Sequence, residues 1–259
     1  MEWYAGTSGY SYKEWKGLFY PSDISNDAML AYYAERLSTV EINNTFYRMP
    51  KRSVVQSWGE AVPDHFRFSI KASRRITHQM RLKESEESVG ILAKQLKVLG
   101  DKLGAVLFQL PPYLKFEAER LTAFLAIVPK TLPIAFEFRH ASWFNTETYD
   151  ALHAHGAALC LTEDGELPLP DRDATTNWTY VRLRKPSYTD ETLTSWKGRI
   201  VAADVNTAFA FFKHEDEAGG PPLAARFLEI ANAPDRAAKK EPKRATRKSD
   251  NSASDANSV

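Results

Sequence analysis

Glu41, Asn43, Lys71, Gln109, Glu137, Arg139 and Arg182 could act together, with Arg184 just beyond them. Each lies in, or at the end of, a short run of β-forming residues, and within each run the polar groups keep one parity. Glu41 and Asn43 oppose Val40 and Ile42. Lys71 shares its side with Arg67 and Ser69, against Phe66, Phe68 and Ile70. Gln109 sits between Phe108 and Leu110. Glu137 and Arg139 oppose Phe136 and Phe138, and Arg182 and Arg184 oppose Val181 and Leu183. Carboxylates can carry protons, and guanidinium and ammonium groups hold developing or standing negative charge. Glu41, Glu137 and Lys71 are therefore the candidate catalytic residues. Either glutamate would serve as general acid or base, or both as a carboxylate pair of glycosidase type. Neighbouring arginines would depress the Lys71 pKa and suit it to Schiff-base chemistry. Asn43, Gln109, Arg139 and Arg182 are the candidate substrate-binding residues.

Eight β-type runs can position such a set: Trp3–Gly6, Val40–Asn43, Phe66–Lys71, Ala105–Gln109, Ile134–Phe138, Ala157–Thr162, Trp178–Leu183 and Ala208–Phe212. Helical stripes separate most of them: Met29, Tyr33 and Leu37; Val89, Leu92, Leu96 and Leu99; Leu121, Phe124, Leu125 and Val128; Leu193, Trp196 and Ile200. Strand–helix alternation predicts parallel strands with crossover helices, and eight such units in one chain predict an α/β fold, a single (β/α)8 TIM-type barrel over residues 1–233. An open doubly wound sheet would want a Gly-rich nucleotide loop after the first strand, and none is present. Between Glu163 and Asn177, Gly165, Pro168 and Pro170 break any helical stripe, so the sixth crossover is expected to be irregular. In a closed barrel the apolar parity faces the helices and the polar parity faces the axis. The polar groups come late in their strands, at the C-terminal mouth where barrel active sites are built. An internal ion-pair plug is the alternative reading, although buried pairs rarely stabilise more than apolar packing would.

The loops after the strands add Ser73–His78, His140–Phe144, Thr162–Asp164 and Lys213–Glu215 to this mouth. The surplus of cations predicts a small anionic ligand, a phosphate or carboxylate. His140 joins the substrate-binding candidates. So do Tyr10, Tyr12 and Trp15 of the aromatic first loop and Trp143, as a stacking wall for a base or sugar. A loop merely packed over the barrel end is the alternative. His78, His140, Glu41, Glu137, Asp164 and His214 could ligate a metal, but no HExxH or CxxC spacing appears, and neither a metal nor another cofactor is expected.

Of the 259 residues, 43% are hydrophobic and 26% charged, which is the composition of a folded globular protein. No run approaches the ~18 apolar residues of a membrane helix. The N-terminus lacks the pattern of a secretory signal, and Cys160, the single cysteine, suits a reducing compartment, so a cytoplasmic location is expected. The net charge of +1 conceals an asymmetry. Residues 235–259 hold seven basic and four acidic side chains, which leaves 27 basic and 29 acidic in the rest. A basic, then Ser/Asn/Asp-rich, tail over 234–259 is expected to be disordered. Such a tail supports a second functional class, a non-catalytic nucleotide or nucleic-acid binder, although the slightly acidic body argues against strong duplex binding.

Several of these segments carry a resemblance. Gly6-Thr7-Ser8-Gly9-Tyr10-Ser11-Tyr12 with Trp15 and Phe19-Tyr20-Pro21 forms its first part. Thr39-Val40-Glu41-Ile42-Asn43, Thr45-Phe46-Tyr47 and Phe68-Ser69-Ile70-Lys71-Ala72 continue it. Gln109-Leu110-Pro111-Pro112 and Phe136-Glu137-Phe138-Arg139-His140 with Ser142-Trp143 complete it. Together they resemble the DUF72 (YecE-like) family over about residues 3–231, with the tail outside. The resemblance implies a TIM-type barrel, like endonuclease IV and xylose isomerase in shape, and implies no established activity. The chain departs from the family's pattern at Phe211-Phe212-Lys213-His214-Glu215, where many relatives have an Asn-rich ending.

Overall fold

Alternating large and small side chains on one parity of the strands make barrel closure possible. In the computed structural model, which describes residues 1–213 and 218–234, eight parallel strands close in sequence order. They are β1 (Glu2–Thr7), β2 (Thr39–Ile42), β3 (Arg67–Lys71), β4 (Leu103–Gln109), β5 (Ile134–Glu137), β6 (Ala158–Glu163), β7 (Trp178–Leu183) and β8 (Thr207–Phe212). β8 returns to β1 with six residues in register, from Glu2 opposite Thr207 to Thr7 opposite Phe212. The helices are α1 (Met29–Ala34), α2 (Arg52–Glu60), α3 (Glu86–Leu96), α4 (Ala118–Ile127), α5 (Thr146–His155), α6 (Asp190–Ala202) and α7 (Gly220–Asn232). All four predicted stripes fall on helices or their continuations. α2, α5 and α7 complete the outer layer.

The axis of the barrel is graded. At its N-terminal end Tyr4 stacks on Phe209 with ring centroids 5.0 Å apart, and Trp178 meets Phe209 edge-on at 6.0 Å. Above them Leu107, Tyr180 and Phe211 are offset by the small Ala105, Ala135 and Ala158, which make room for the rings. Polar groups gather mainly above this layer, although Ser69 bonds the Tyr180 hydroxyl within it and Arg67 lies 5.6 Å from the centre of the Tyr4 ring at the N-terminal end. The expected polar axis is therefore chiefly the C-terminal half of an interior whose lower half is mostly aromatic and aliphatic. The outward parity packs against the helices through Phe108, Phe136 and Phe124, with Phe108 and Phe136 stacked at 5.5 Å. Burying a side chain of this size stabilises the fold by about 1.5–3 kcal/mol.

One glycine is fixed by close approach. A Cβ on Gly6 would lie 1.8 Å from the Thr39 carbonyl oxygen and 2.9 Å from the Tyr33 hydroxyl. That hydroxyl ties the β1–β2 corner together, donating to the Thr39 carbonyl at 3.0 Å and accepting from the Thr7 amide at 2.8 Å.

No helix lies between β6 and β7, as Gly165, Pro168 and Pro170 predict. The segment is nonetheless anchored. Thr175 accepts from the Leu159 amide at 2.9 Å and donates to the Ala157 carbonyl at 2.6 Å, and Arg199 of α6 reaches Asp173 at 2.6 Å. This path carries Asp164 and Glu166 over the mouth. The predicted tail lies, apart from Pro234, outside the described residues, as do His214 and Glu215. Among the described residues no helix is long and apolar enough to cross a membrane.

Candidate functional site

Three charged residues from strands spread around the barrel meet on its axis. Arg182 of β7 donates through Nη2 to Glu41 of β2 at 2.8 Å and through Nη1 to Glu137 of β5 at 2.6 Å. All three are buried. Glu41 also accepts from the Tyr180 hydroxyl at 2.6 Å and from Asn43 Nδ2 at 2.9 Å, and Tyr180 is steadied by Ser69 at 2.6 Å. Glu137 accepts from Gln109 Nε2 at 2.9 Å and from Arg139 Nε at 2.6 Å. Arg139 then reaches outward to Asp164 at 3.0 Å and Glu166 at 2.9 Å.

Strand parity thus brings Glu41, Asn43, Gln109, Glu137, Arg139 and Arg182 into one network. Tyr180 and Ser69 share that parity, and sequence reasoning passed over them because a tyrosine and a serine in a strand read as filler. Glu166 was missed because nothing in an irregular crossover predicts where its side chain returns.

Electrostatics assigns the two glutamates a state. Burial alone would raise the Glu137 carboxyl, but Arg182 and Arg139 beside it, with Gln109, hold it at about 2. Glu41 is likewise lowered: burial opposes ionisation, and Arg182, the Tyr180 hydroxyl, Lys71 and Asn43 overcome it. Both are anions at neutral pH whose lone pairs are already engaged. Arg182 stands between them, so they do not form an open carboxylate pair of the glycosidase kind.

Lys71 and Arg184 differ. Lys71 Nζ lies 4.5 Å from the centre of the Phe46 ring, and among the described residues it makes no hydrogen bond or ion pair. Burial and then the positive Arg182 push its pKa down to about 8. Burial and Arg182 also lower the Arg184 pKa, and Arg184 Nη1 is buried without a hydrogen-bond partner. Phe46 meets His78 edge-on at 5.0 Å, where burial and Lys71 keep the imidazole below its usual value.

The remaining candidates divide. Tyr10 and Tyr12 are half-buried and line a cleft beside Asn43. Trp15 and Trp143 are fully buried and offer no face to a ligand, so the stacking wall loses both. Trp15 packs among Tyr12, Phe19 and Tyr20. Trp143 stacks on Phe138 at 4.7 Å and donates to the Leu114 carbonyl at 2.7 Å. The first loop therefore behaves in part as the packed cover that was its alternative reading. His140 takes no part in the axial network. Its Nδ1 is held by Ser142, whose hydroxyl lies 2.8 Å away and whose amide lies 3.1 Å away. The chain's His-x-His spacing, His153 and His155, falls on α5, where His153 Nδ1 meets the Thr175 carbonyl at 3.0 Å, away from the mouth. Among the described residues no three His, Cys, Asp or Glu side chains come together as a metal site.

A closed (β/α)8 barrel with a buried Glu–Arg–Glu bridge at its C-terminal mouth is the class these features define. Within it, the chain belongs to the family described as "Protein of unknown function DUF72", which matches residues 4–247. That match runs past residue 231, where the motifs end, into the basic segment as far as residue 247, so this segment is not wholly outside the family. The chain is 31% identical over 142 residues to UPF0759 protein YecE of Escherichia coli K12, covering 54% of this chain and 50% of YecE. It is 28% identical over 140 residues to UPF0759 protein YunF of Bacillus subtilis, covering 51% of this chain and 49% of YunF. The matches thus span about half the length of these curated relatives. The crystal structure of a DUF72 family protein from Thermotoga maritima superposes with a TM-score of 0.78 at 27% identity, covering 89% of this chain and 99% of that one. A DUF72 family protein from Enterococcus faecalis gives 0.74 at 19% identity, covering 90% and 96%, a likeness of fold alone.

Proposed function

We propose that the protein is an enzyme acting on a small anionic, sugar-like substrate at the C-terminal mouth of the barrel. Lys71, protonated at neutral pH, receives the anionic group together with Arg184 and serves as the proton donor to it. The observation that carries this reading is the division of cations in the axial cluster. Arg139 and Arg182 each pair with at least two carboxylates, although Arg182 Nε is buried without a partner, whereas Lys71 and Arg184 have no hydrogen bond or ion pair to any carboxylate among the described residues. A half-buried cation with no hydrogen-bonded counter-charge is costly, since Glu41 and Glu137 offset its desolvation only in part, and a bound anion lowers that cost.

The same geometry redistributes the chemical roles. A carboxyl group held at about 2 is a poor proton acceptor at neutral pH, so Glu137 serves better as an electrostatic anchor. Glu41, fully engaged by three donors, serves in the same way. An amine brought to about 8 stays mostly protonated at neutrality yet gives up its proton more readily than an ordinary lysine, which suits a cationic proton donor.

Titration calorimetry with inorganic phosphate tests the anion site. Wild type is expected to bind, and Lys71→Met and Arg184→Gln are each expected to weaken binding roughly ten- to a hundredfold, the range of one lost charge-assisted contact. Equal binding by all three proteins overturns the assignment.

A further inference from the structure

Beside the axial cluster, between the first loop and α2, lies a cleft of about 370 Å³ whose described lining contains no charged side chain. Tyr10, Tyr12 and Trp58 supply aromatic walls, and Ser11, Asn43 and Asn44 supply neutral polar groups.

These walls are braced. The Tyr12 hydroxyl donates to the Ser8 carbonyl at 2.6 Å and sits over Gly9, whose φ of +111 suits glycine and whose Cβ, if present, would come within 2.1 Å of that hydroxyl. Trp58 backs onto Phe68, with ring centroids 6.3 Å apart. The Tyr10 carbonyl accepts from the Tyr20 hydroxyl at 2.6 Å. A pocket with fixed aromatic walls binds without first ordering them.

Its polar groups are not used up by the protein. Asn43 donates Nδ2 to Glu41, which fixes its amide orientation, and its Oδ1 is then buried without a hydrogen-bond partner. The Ser11 hydroxyl has only the weak acceptor sulfur of Met29, 3.9 Å away. Such groups call for a ligand that presents several neutral donors and acceptors around its rim.

We propose that this cleft is a glycosyl subsite that takes the neutral ring of a sugar, its C–H face on Tyr12 and Trp58 and its hydroxyls on Asn43, Asn44 and Ser11. A sugar hydroxyl both donates and accepts, so neighbouring hydroxyls on one ring satisfy a mixed set of amides and hydroxyls. The absence of charge among the lining residues excludes the substrate's anionic group from this place. Asn43, shared by the cleft and the Glu41 network, couples the ring site to the anion site. Only that coupling rests on the proposed function. The cleft itself does not need it.

Tryptophan fluorescence and saturation-transfer NMR with neutral methyl glycosides test the proposal on the full chain. At least one methyl pyranoside or furanoside is expected to bind wild type, and Trp58→Leu is expected to weaken it at least tenfold while leaving the affinity for inorganic phosphate unchanged. A Trp58→Phe variant, which keeps an aromatic wall, is expected to retain most of the binding, and a thermal melt separates loss of the wall from loss of the fold. If no neutral glycoside binds while phosphate does, the glycosyl subsite is wrong and the anion site stands. If adenosine binds the cleft and glycosides do not, the occupant is a base and the proposal is overturned. If a glycoside binds and phosphate does not, the subsite stands and the anion reading fails.

Discussion

Arg182 Nη1 donates to Glu137 Oε2 at 2.6 Å inside the barrel, with both side chains buried. This contact spans from β7 to β5 across the axis, and the other arm of the same guanidinium spans to β2. A planar fork can hold two carboxylates in fixed geometry, which a lysine in its place could not. The bridge keeps two anions locked between Arg182 and Arg139, while Lys71 and Arg184 have no carboxylate partner within ion-pair distance among the described residues.

Removing the bridge should therefore cost stability out of proportion to one side chain. Arg182→Met leaves Glu41 and Glu137 buried with their shared counter-charge gone, and breaking a buried pair in this way costs about 3–5 kcal/mol. Urea denaturation at pH 7 is the measurement. Combining the change with Glu41→Gln and Glu137→Gln removes the stranded charges and is expected to recover most of the loss. A single variant within 1 kcal/mol of wild type would show that the bridge does not hold the mouth together.

Glu137 also sets a pH dependence. Its folded value of about 2 lies below the 4.5 of an ordinary glutamate, so its ionised form contributes stability that is fully present above about pH 4.5 and is lost as pH falls through about 2. The contribution is on the order of 3 kcal/mol. Glu41, lowered by the same arginine, acts in the same direction. Denaturation midpoints taken between pH 6 and pH 2.5 should fall steeply for wild type. Glu137→Gln starts lower at neutral pH, and its slope through this acid window should be visibly shallower. An unchanged slope would mean that another carboxylate carries the acid sensitivity.

Much of this was legible in the residues. Parity alone placed Glu41, Gln109, Glu137, Arg139 and Arg182 together, because a closed barrel gives every strand residue one of two environments. Parity says nothing about depth along the axis, and depth decided the rest. Tyr180 and Ser69 share the parity of Arg182 and Lys71 but act one layer lower, as support for Glu41. It also cannot separate a paired arginine from an unpaired one: Arg139 and Arg184 look alike in sequence, but Arg139 meets Glu137 and the returning Asp164 and Glu166, while Arg184 Nη1 has no partner. Trp15 and Trp143 misled for a related reason. Aromatic residues in a loop suit stacking on a ligand and packing on a core equally well, and here the indole of Trp143 finds the Leu114 carbonyl inside the protein.

Lys71 provides the sharpest stability test of a cation held without a hydrogen-bonded partner. Its folded value of about 8 lies below the 10.5 of a free lysine side chain. Between those values the unfolded chain binds more protons, so stability rises with pH across that window, and below it the ionised amine carries its full cost. Lys71→Met keeps an apolar stem against Phe46 and removes the charge. The variant is therefore expected to be more stable than wild type at pH 7, by about 1–3 kcal/mol. The gap should close as pH rises from about 8 toward 10.5, where the wild-type amine is neutral in both states. Other lysines and tyrosines titrate in the same range, but they do so in both proteins and cancel in the difference. Adding inorganic phosphate at pH 7 should stabilise wild type and leave Lys71→Met nearly unmoved, since a ligand stabilises only the form that binds it. If the two proteins are equally stable from pH 7 to 10.5, Lys71 is compensated by a partner in solution and is not the cation that awaits an anion.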